Sequence, residues 1–258
     1  MGLAPRTLRR LRVPQLRLAG VSREFAGSDF DYMNLLILGR GKTGSLVAEV
    51  GRERRHTVGI VGAADNRACA ALTPEKLKAV DVVIDFTTPQ AALENVPACI
   101  RAGKKVVIGT TGWYSELGRI REMVLKSDTA LLYATNFSIG VNLFFDIARS
   151  AAAAINFQYH GQVFERHHAH KKDAPSGTAL AIRNVIREAT GEELEIISFR
   201  EGEVVGMHEV VFESPNDTIY LCHDANSRRG FAEGAVRAAE WLAARKGFFD
   251  FRDVWREV

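Results

Sequence analysis

An α/β fold in two parts is predicted: an open parallel sheet with crossover helices, then an α+β block carrying a mixed sheet. Three observations predict it. Short apolar and β-branched runs alternate with longer stretches of helical spacing between Leu35 and Ala134, the pattern of strand and crossover helix. A glycine-rich turn, Gly39-Arg40-Gly41-Lys42-Thr43-Gly44, directly follows the first apolar run. After Asn136 the alternation stops and strands follow one another with little between them, which reads as antiparallel or mixed pairing.

The elements follow in order. Strands are expected at 35–38, 57–63, 82–85, 105–109 and 130–134, five in all, with helices at 45–54, 74–79, 89–102 and 115–125 between them. Pro74 and Pro89 suit the first turns of their helices, where the missing N–H costs nothing. The second block begins with a helix at 141–154 and a strand at 157–165. A histidine-rich turn follows, then a helix at 177–190 and three strands at 195–200, 205–213 and 217–224. The last helix, at 231–245, is alanine-rich and amphipathic and is expected to pack back on the first sheet. The domains are thus 33–136, 137–226 and a returning C-terminal segment at 227–258.

Composition excludes other classes. The chain has 258 residues, 47% hydrophobic and 25% charged, which fits a folded globular protein rather than a disordered or fibrous one. No apolar run approaches the roughly 18 residues of a membrane span. The formal charge of +3 sits entirely in residues 1–32, where six arginines face three acids; the remainder balances, so no basic surface argues for nucleic acid. Residues 1–32 are expected to be a leader, unstructured or upstream of a native start at Met33, because Met33 stands directly before the first strand. Cys69, Cys99 and Cys222 are odd in number and widely spaced, as expected of thiols in a reducing cytoplasm.

The glycine-rich turn makes the first part a Rossmann-type dinucleotide-binding domain. In G-x-G-x-x-G, Gly39 permits the tight turn, Gly41 lets backbone approach a pyrophosphate, and Gly44 lets helix and strand pack closely. The helix N-terminus then presents free N–H groups to the phosphates. Asp65, at the end of the second strand, is the acid for the adenosine ribose. It favours NADH, whereas Arg40, Lys42 and Arg67 offer cations for the 2′-phosphate of NADPH, so the residues leave NADH or NADPH open. Three further loops at strand carboxyl ends are expected to line the crevice: Asp85-Phe86-Thr87, Gly109-Thr110-Thr111-Gly112 and Ala134-Thr135-Asn136-Phe137. Each alone reads as an ordinary βα turn.

The segment Glu165-Arg166-His167-His168-Ala169-His170-Lys171-Lys172-Asp173-Ala174-Pro175-Ser176-Gly177-Thr178 is the other concentration of chemistry. Three of the seven histidines fall in four positions beside two lysines. So dense a cation cluster repels itself and calls for an anion. Ser176 can cap the following helix, leaving the N–H groups of Gly177 and Thr178 to a second anionic group. Together these fit a small dicarboxylate. A solvated charged loop is the plain alternative. Metal binding ranks low and no metal is expected, because no cysteine or second histidine cluster completes a tetrahedral set.

These motifs, with Asn136-Phe137-Ser138 and the closing Ser227-Arg228-Arg229-Gly230-Phe231-Ala232-Glu233-Gly234, resemble the dihydrodipicolinate reductase (4-hydroxy-tetrahydrodipicolinate reductase) family of lysine biosynthesis over essentially all of 34–258. The chain departs at Thr43, where many members carry Met. The resemblance implies NAD(P)H-dependent reduction of 4-hydroxy-tetrahydrodipicolinate, with His167 as the general acid–base residue and Lys171 as proton donor. It implies substrate binding by His168, Ser176, Gly177 and Thr178. Cofactor binding falls to Gly39, Arg40, Gly41, Lys42, Thr43, Gly44, Asp65, Gly109, Thr110, Thr111, Ala134, Thr135, Asn136 and Phe137. It also implies a homotetramer assembled through the second domain. The alternatives are another Rossmann oxidoreductase, such as an amino-acid or sugar dehydrogenase, and a non-catalytic dinucleotide sensor; the latter has no need of both His167 and Lys171.

Overall fold

The computed structural model describes residues 32–258. The proposed leader therefore lies, but for Tyr32, outside the described residues. Ten strands and eight α-helices run in the order β1 (Asn34–Leu38), α1 (Lys42–Glu53), β2 (Thr57–Val61), α2 (Pro74–Lys78), β3 (Val82–Asp85), α3 (Pro89–Arg101), β4 (Lys105–Ile108), α4 (Leu117–Leu125), β5 (Ala130–Tyr133), α5 (Ile139–Ala151), β6 (His160–His167), α6 (Gly177–Thr190), β7 (Glu195–Arg200), β8 (Met207–Glu213), β9 (Thr218–Asp224), α7 (Arg229–Leu242), β10 (Gly247–Asp250) and α8 (Phe251–Val254).

The first sheet is wholly parallel, in the order β10-β5-β4-β3-β1-β2. Its central strand β3 is buried along its whole length, because helices cover both faces. On one face Leu35, Ile37, Ile84 and Leu132 pack with Val47 of α1 and with Ala232, Ala235, Val236, Ala239 and Leu242 of α7. On the other, Leu36, Leu38, Val83, Val106 and Ile108 meet Val96 and Ile100 of α3 and Ile120 and Val124 of α4. Alternation of strand residues between two apolar layers is why these runs read as continuous rather than period-two.

The second sheet, β7-β6-β8-β9, is mixed: β6 runs parallel to β7 and antiparallel to β8, and β8 antiparallel to β9. One face packs on α5 and α6 through Val163, Val210 and Phe212 against Phe145, Ile182 and Val185. The two-part α/β architecture read from the sequence is thus the observed one.

Several elements differ from the expectation. A sixth strand, β10, was not foreseen; its four residues Gly-Phe-Phe-Asp are too short to show a period, and it pairs with β5 only after the chain has crossed the whole second sheet. Helix α1 begins at Lys42, inside the glycine turn, not at residue 45. The helix expected at 141–154 ends at Ala151 and tightens into a 3₁₀ segment, Ala152–Phe157. Strand β6 runs to His167, since pairing with β7 extends through His167 opposite Arg200.

The returning α7 is fastened to the first sheet's edge. Glu240, only 7% exposed, accepts from Arg54 Nε (2.7 Å) and Nη2 (2.6 Å) and contacts His56 Nε2 at 2.9 Å. At Gly234 a Cβ would lie 1.8 Å from the carbonyl oxygen of Phe137. That close approach sets α7 directly under the loop that leaves β5.

Candidate active site

Two of the three glycines of the turn are required by the fold itself. Gly39 has φ +105°, and a Cβ there would strike the Phe86 carbonyl at 2.1 Å; at Gly44 it would strike the Gly39 carbonyl at 2.1 Å. Packing alone therefore demands glycine at both. At Gly41 a Cβ would meet nothing within 4 Å, so the protein's own packing gives no reason for glycine there. Helices α2, α3, α5 and α6 are each capped by a Ser or Thr side chain. Helix α1 has Gly41 as its N-cap residue and no side-chain cap, which leaves its first turn without the side-chain acceptor that those four have, an arrangement that suits a phosphate.

Beside this turn lies a cleft of about 320 Å³ lined by Gly41, Lys42, Thr43, Gly44, Phe86, Thr87, Pro89, Gly109, Thr110 and Thr111. It unites two of the expected loops with the helix start. Gly109 is held bare because a Cβ would enter the Phe86 ring at 2.1 Å. Asp65 and Arg40 are both exposed and hang over Gly62, whose Cβ would lie 3.6 Å from Asp65 Oδ2 and 3.9 Å from Arg40 Nε. The acid and the cation weighed for cofactor preference are therefore neighbours.

Under the cleft sits Asp85, fully buried. Its Oδ1 accepts from Thr87 N (3.1 Å), Thr87 Oγ1 (2.7 Å) and Thr110 Oγ1 (2.7 Å), and its Oδ2 accepts from Asn95 Nδ2 (3.0 Å). Asn95 Oδ1 in turn accepts from Asn66 Nδ2 at 2.8 Å. One carboxylate thus fixes the loops after β3 and β4 and, through Asn95, the segment after β2. Asn95 and Asn66 were missed by sequence reading, because neither lies in a recognisable motif.

The loop after β5 bridges to the second sheet. Ala134 and Phe137 are buried and Thr135 is exposed. Asn136 Oδ1 accepts from Ser138 N (2.8 Å), its carbonyl accepts from Asn142 Nδ2 (3.0 Å), and its Nδ2 donates to Thr178 Oγ1 at 3.3 Å. Thr178 is the second residue of α6, so the expected cofactor loop touches the expected anion site.

At that site Ser176 Oγ caps α6 by accepting from Ala179 N (3.2 Å). A Cβ on Gly177 would meet nothing within 4 Å; as at Gly41, the protein's packing does not call for glycine. His167 is 8% exposed and its Nδ1 stands 2.5 Å from Glu165 Oε2. Its Nε2 faces Gly206, where a Cβ would come within 3.0 Å. His168 is half-buried with its ring 6.5 Å from that of His170. Lys171 Nζ donates to both carboxylate oxygens of Asp173, at 2.8 and 3.0 Å.

Burial lowers the pKa of His167, and the nearby cation of Lys171 adds to this against the opposing pull of Glu165. Burial would raise Glu165, but hydrogen bonding from Arg200 and the charges around it hold its pKa down to about 2. His208 is pushed down to about 3, by burial first and His167 second, so it is neutral at ordinary pH.

Glu165, Arg200, His208 and Gly206 were missed as site residues. They come from β6, β7 and β8 and the turn before β8, and only pairing of the strands assembles them. The available signal was alternation: Val163, Glu165 and His167 share one face, as do His208, Val210 and Phe212. Glu165, His167 and His208 bring donor atoms within 4.8 Å of one another, which the sequence reading did not foresee. Arg200 already donates to Glu165 Oε1 at 2.7 Å, a fixed positive charge that opposes a metal ion in the same place.

A glycine-turn helix without a side-chain cap at the carboxyl edge of a parallel sheet, followed by a second, mixed sheet, places the chain in the class of Rossmann-type oxidoreductases that use a nicotinamide dinucleotide. Comparison with known proteins narrows this. Residues 33–137 match the family described as dihydrodipicolinate reductase, N-terminus, and residues 140–255 its C-terminus. The 4-hydroxy-tetrahydrodipicolinate reductase of Christiangramia forsetii is 37% identical over 240 residues, covering 88% of this chain and 99% of that protein. That of Chromobacterium violaceum is 41% identical over 199 residues, covering 69% and 74%. Among solved structures, dipicolinate-bound dihydrodipicolinate reductase from Paenisporosarcina sp. TG-14 has the same fold, with a TM-score of 0.69 at 22% identity, over 87% of this chain and all of that one. The chain belongs to the dihydrodipicolinate reductase family.

Proposed function

We propose that this protein reduces 4-hydroxy-tetrahydrodipicolinate to tetrahydrodipicolinate, with loss of water, in the diaminopimelate route to lysine, using NADH or NADPH. The observation that carries the reading is the hydrogen bond from Asn136 to Thr178 (3.3 Å). It joins the loops at the carboxyl edge of the parallel sheet to the helix start beside His167 and Lys171. Membership of the family and the dipicolinate bound to the Paenisporosarcina enzyme support a small dicarboxylate as substrate.

The residues fit a dinucleotide. Gly41 leaves its Cβ position open, the first turn of α1 is uncapped, and the cleft beside them is walled by Gly109, Thr110 and Thr111. When bound, the dinucleotide supplies a hydride. Gly39 to Gly44 hold the pyrophosphate, Asp65 the adenosine ribose, and the loops ending in Thr111 and Phe137 the nicotinamide half, including Ala134, Thr135 and Asn136. Asp65 and Arg40 are both solvated, and exposed charges are worth roughly 0–1 kcal/mol. The two cofactors are therefore expected to be used with kcat/KM values within about tenfold of each other.

The substrate carboxylates take Lys171, His168 and the N–H groups of Gly177 and Thr178. Lys171 is released to them from Asp173, a partly exposed pair of small net strength. The ring of His167 offers Nε2 through the gap that Gly206 leaves, and exchanges a proton there with substrate, while Lys171 delivers the proton that completes reduction. The working division is residues 33–136 for cofactor, 137–226 for substrate and assembly, and 227–258 returning to the first sheet. Among the described residues no helix is long and apolar enough to cross a membrane, and the free cysteines suit a cytoplasmic setting.

The test is a coupled assay in which dihydrodipicolinate synthase forms the substrate in situ and dinucleotide absorbance is followed with NADH and with NADPH. Turnover dependent on the synthase product supports the reading. Oxidation of neither dinucleotide by folded protein overturns it.

A further inference from the structure

Beside His167, Glu165 is a carboxylate with no exposure at all. Its two oxygens are divided between two tasks. Oε1 accepts from Arg200 Nη2 (2.7 Å) and from the backbone N–H of Ser176 (3.3 Å), whereas Oε2 and His167 Nδ1 meet at 2.5 Å as a close ion-pair contact in which neither buried atom has a hydrogen-bond partner among the described residues. Ser176 is the residue before α6, and its hydroxyl contacts His208 Nε2 at 3.2 Å. Arg200 Nη2 also donates to the carbonyl of Asp173 (2.6 Å), whose side chain holds Lys171. A buried carboxylate without these partners would cost far more than an apolar residue of its size. Its retention calls for a task.

We infer that Glu165 is a positioning residue that fixes the Nδ1–H tautomer of His167 and at the same time locks the start of α6, so that the proton-exchanging Nε2 and the carboxylate-binding N–H groups keep a constant spacing. The inference rests on the reductase reading above, in which His167 exchanges a proton with substrate.

The chemistry is directional. An ionised carboxylate only accepts, so the proton on neutral His167 resides on Nδ1 and the lone pair is presented at Nε2. The other groups facing the ring are Arg200 from β7, His208 from β8, with its ring centroid 5.2 Å away, and Lys171, which is paired with Asp173. Arg200 and Lys171 carry fixed positive charge, and His208 is neutral. Of these neighbours Glu165 alone favours the protonated ring.

In Glu165→Gln the amide oxygen stays with Arg200 and the NH2 turns toward Nδ1, because the guanidinium only donates. The histidine must then accept at Nδ1 and carry its proton on Nε2. Labelled-imidazole NMR of the full protein is expected to show this tautomer exchange, together with a fall of about 1 unit or more in the His167 pKa. Arg200→Gln removes a like charge and is expected to move that pKa the opposite way, upward. In steady-state kinetics, Glu165→Gln is expected to lower kcat by about 10- to 100-fold and to shift its pH profile with the NMR value, while the Kd of NADH or NADPH changes less than about twofold.

The NMR readout needs no turnover, so it tests Glu165 even if the assigned substrate proves wrong. An unchanged tautomer and pKa in folded Glu165→Gln overturns the inference, as does a shift of the same sign in both variants. Should Glu165→Gln not fold, Arg200→Gln alone decides: no upward shift overturns it.

Discussion

At residue scale the sharpest contrast is between groups that meet the substrate and groups that only hold the fold. His167→Ala and Lys171→Ala are each expected to lower kcat by about 10²-fold or more, the scale of a positioned acid–base group. Neither residue lines the cleft beside the glycine turn, so dinucleotide Kd values measured by fluorescence should not move. Loss of dinucleotide affinity in step with turnover would refute the assignment. Gly177 gives a second contrast. A Cβ there meets no protein atom within 4 Å, so Gly177→Leu is expected to leave Tm nearly unchanged and raise substrate KM by about tenfold or more, having covered the helix N–H groups. Ser176→Ala removes the cap of α6 and is expected to cost about 1 kcal/mol in denaturant unfolding. An unchanged KM in folded Gly177→Leu would take this helix start out of the site.

At element scale, what was legible in the sequence was what is local. The turn from Gly39 to Gly44 and the run from His167 to Thr178 carry their chemistry within a few positions, and strands such as β3 and β4 declare themselves by continuous Val and Ile. What escaped was assembled by pairing. β10 makes sense only against β5, and Glu165 with Arg200 and His208 only once β6 lies between β7 and β8. The same holds for Glu240, which sits inside an alanine-rich helix yet ties α7 to Arg54 and His56 after α1. Burial would raise its pKa, but hydrogen bonds from His56 and Arg54 win and lower it. A depressed folded-state pKa means that the group stabilises above its unfolded value near 4.5, and that this contribution disappears as pH falls through the folded value. Glu240→Ala is expected to cost roughly 3–5 kcal/mol at pH 7, leaving Arg54 and His56 without their shared anion. The difference from wild type should shrink in melts at progressively lower pH below that value. An equal deficit at all pH values would mean that packing, not charge, is what Glu240 supplies. Glu122→Ala, at an exposed pair with Lys126, should change little at any pH.

At the scale of the whole molecule, among the described residues, one sheet is covered on both faces and the other on one. Helices α5 and α6 bury the side of β6 and β8 that carries Val163, Val210 and Phe212. Strand register places Phe164 beside Ile197 and Val211 beside Tyr220, alternating with those buried residues and so pointing to the opposite face. Tyr220 is 60% exposed and Phe199 42%. Arg166 lies over the Phe199 ring at 5.5 Å, so the face mixes apolar and charged groups, as interfaces between subunits do. A lone sheet with such an open face is a candidate site for association, and we propose that the homotetramer expected from the sequence is joined there. Light scattering behind size exclusion is expected to give four times the chain mass. Val211→Lys, with its ammonium in the middle of that face, is expected to yield dimers or monomers whose dinucleotide affinity is intact, because the glycine-turn cleft draws its walls from the parallel sheet alone. A wild-type monomer, or a tetramer indifferent to Val211→Lys, would show that the open face of the second sheet has some other partner or none.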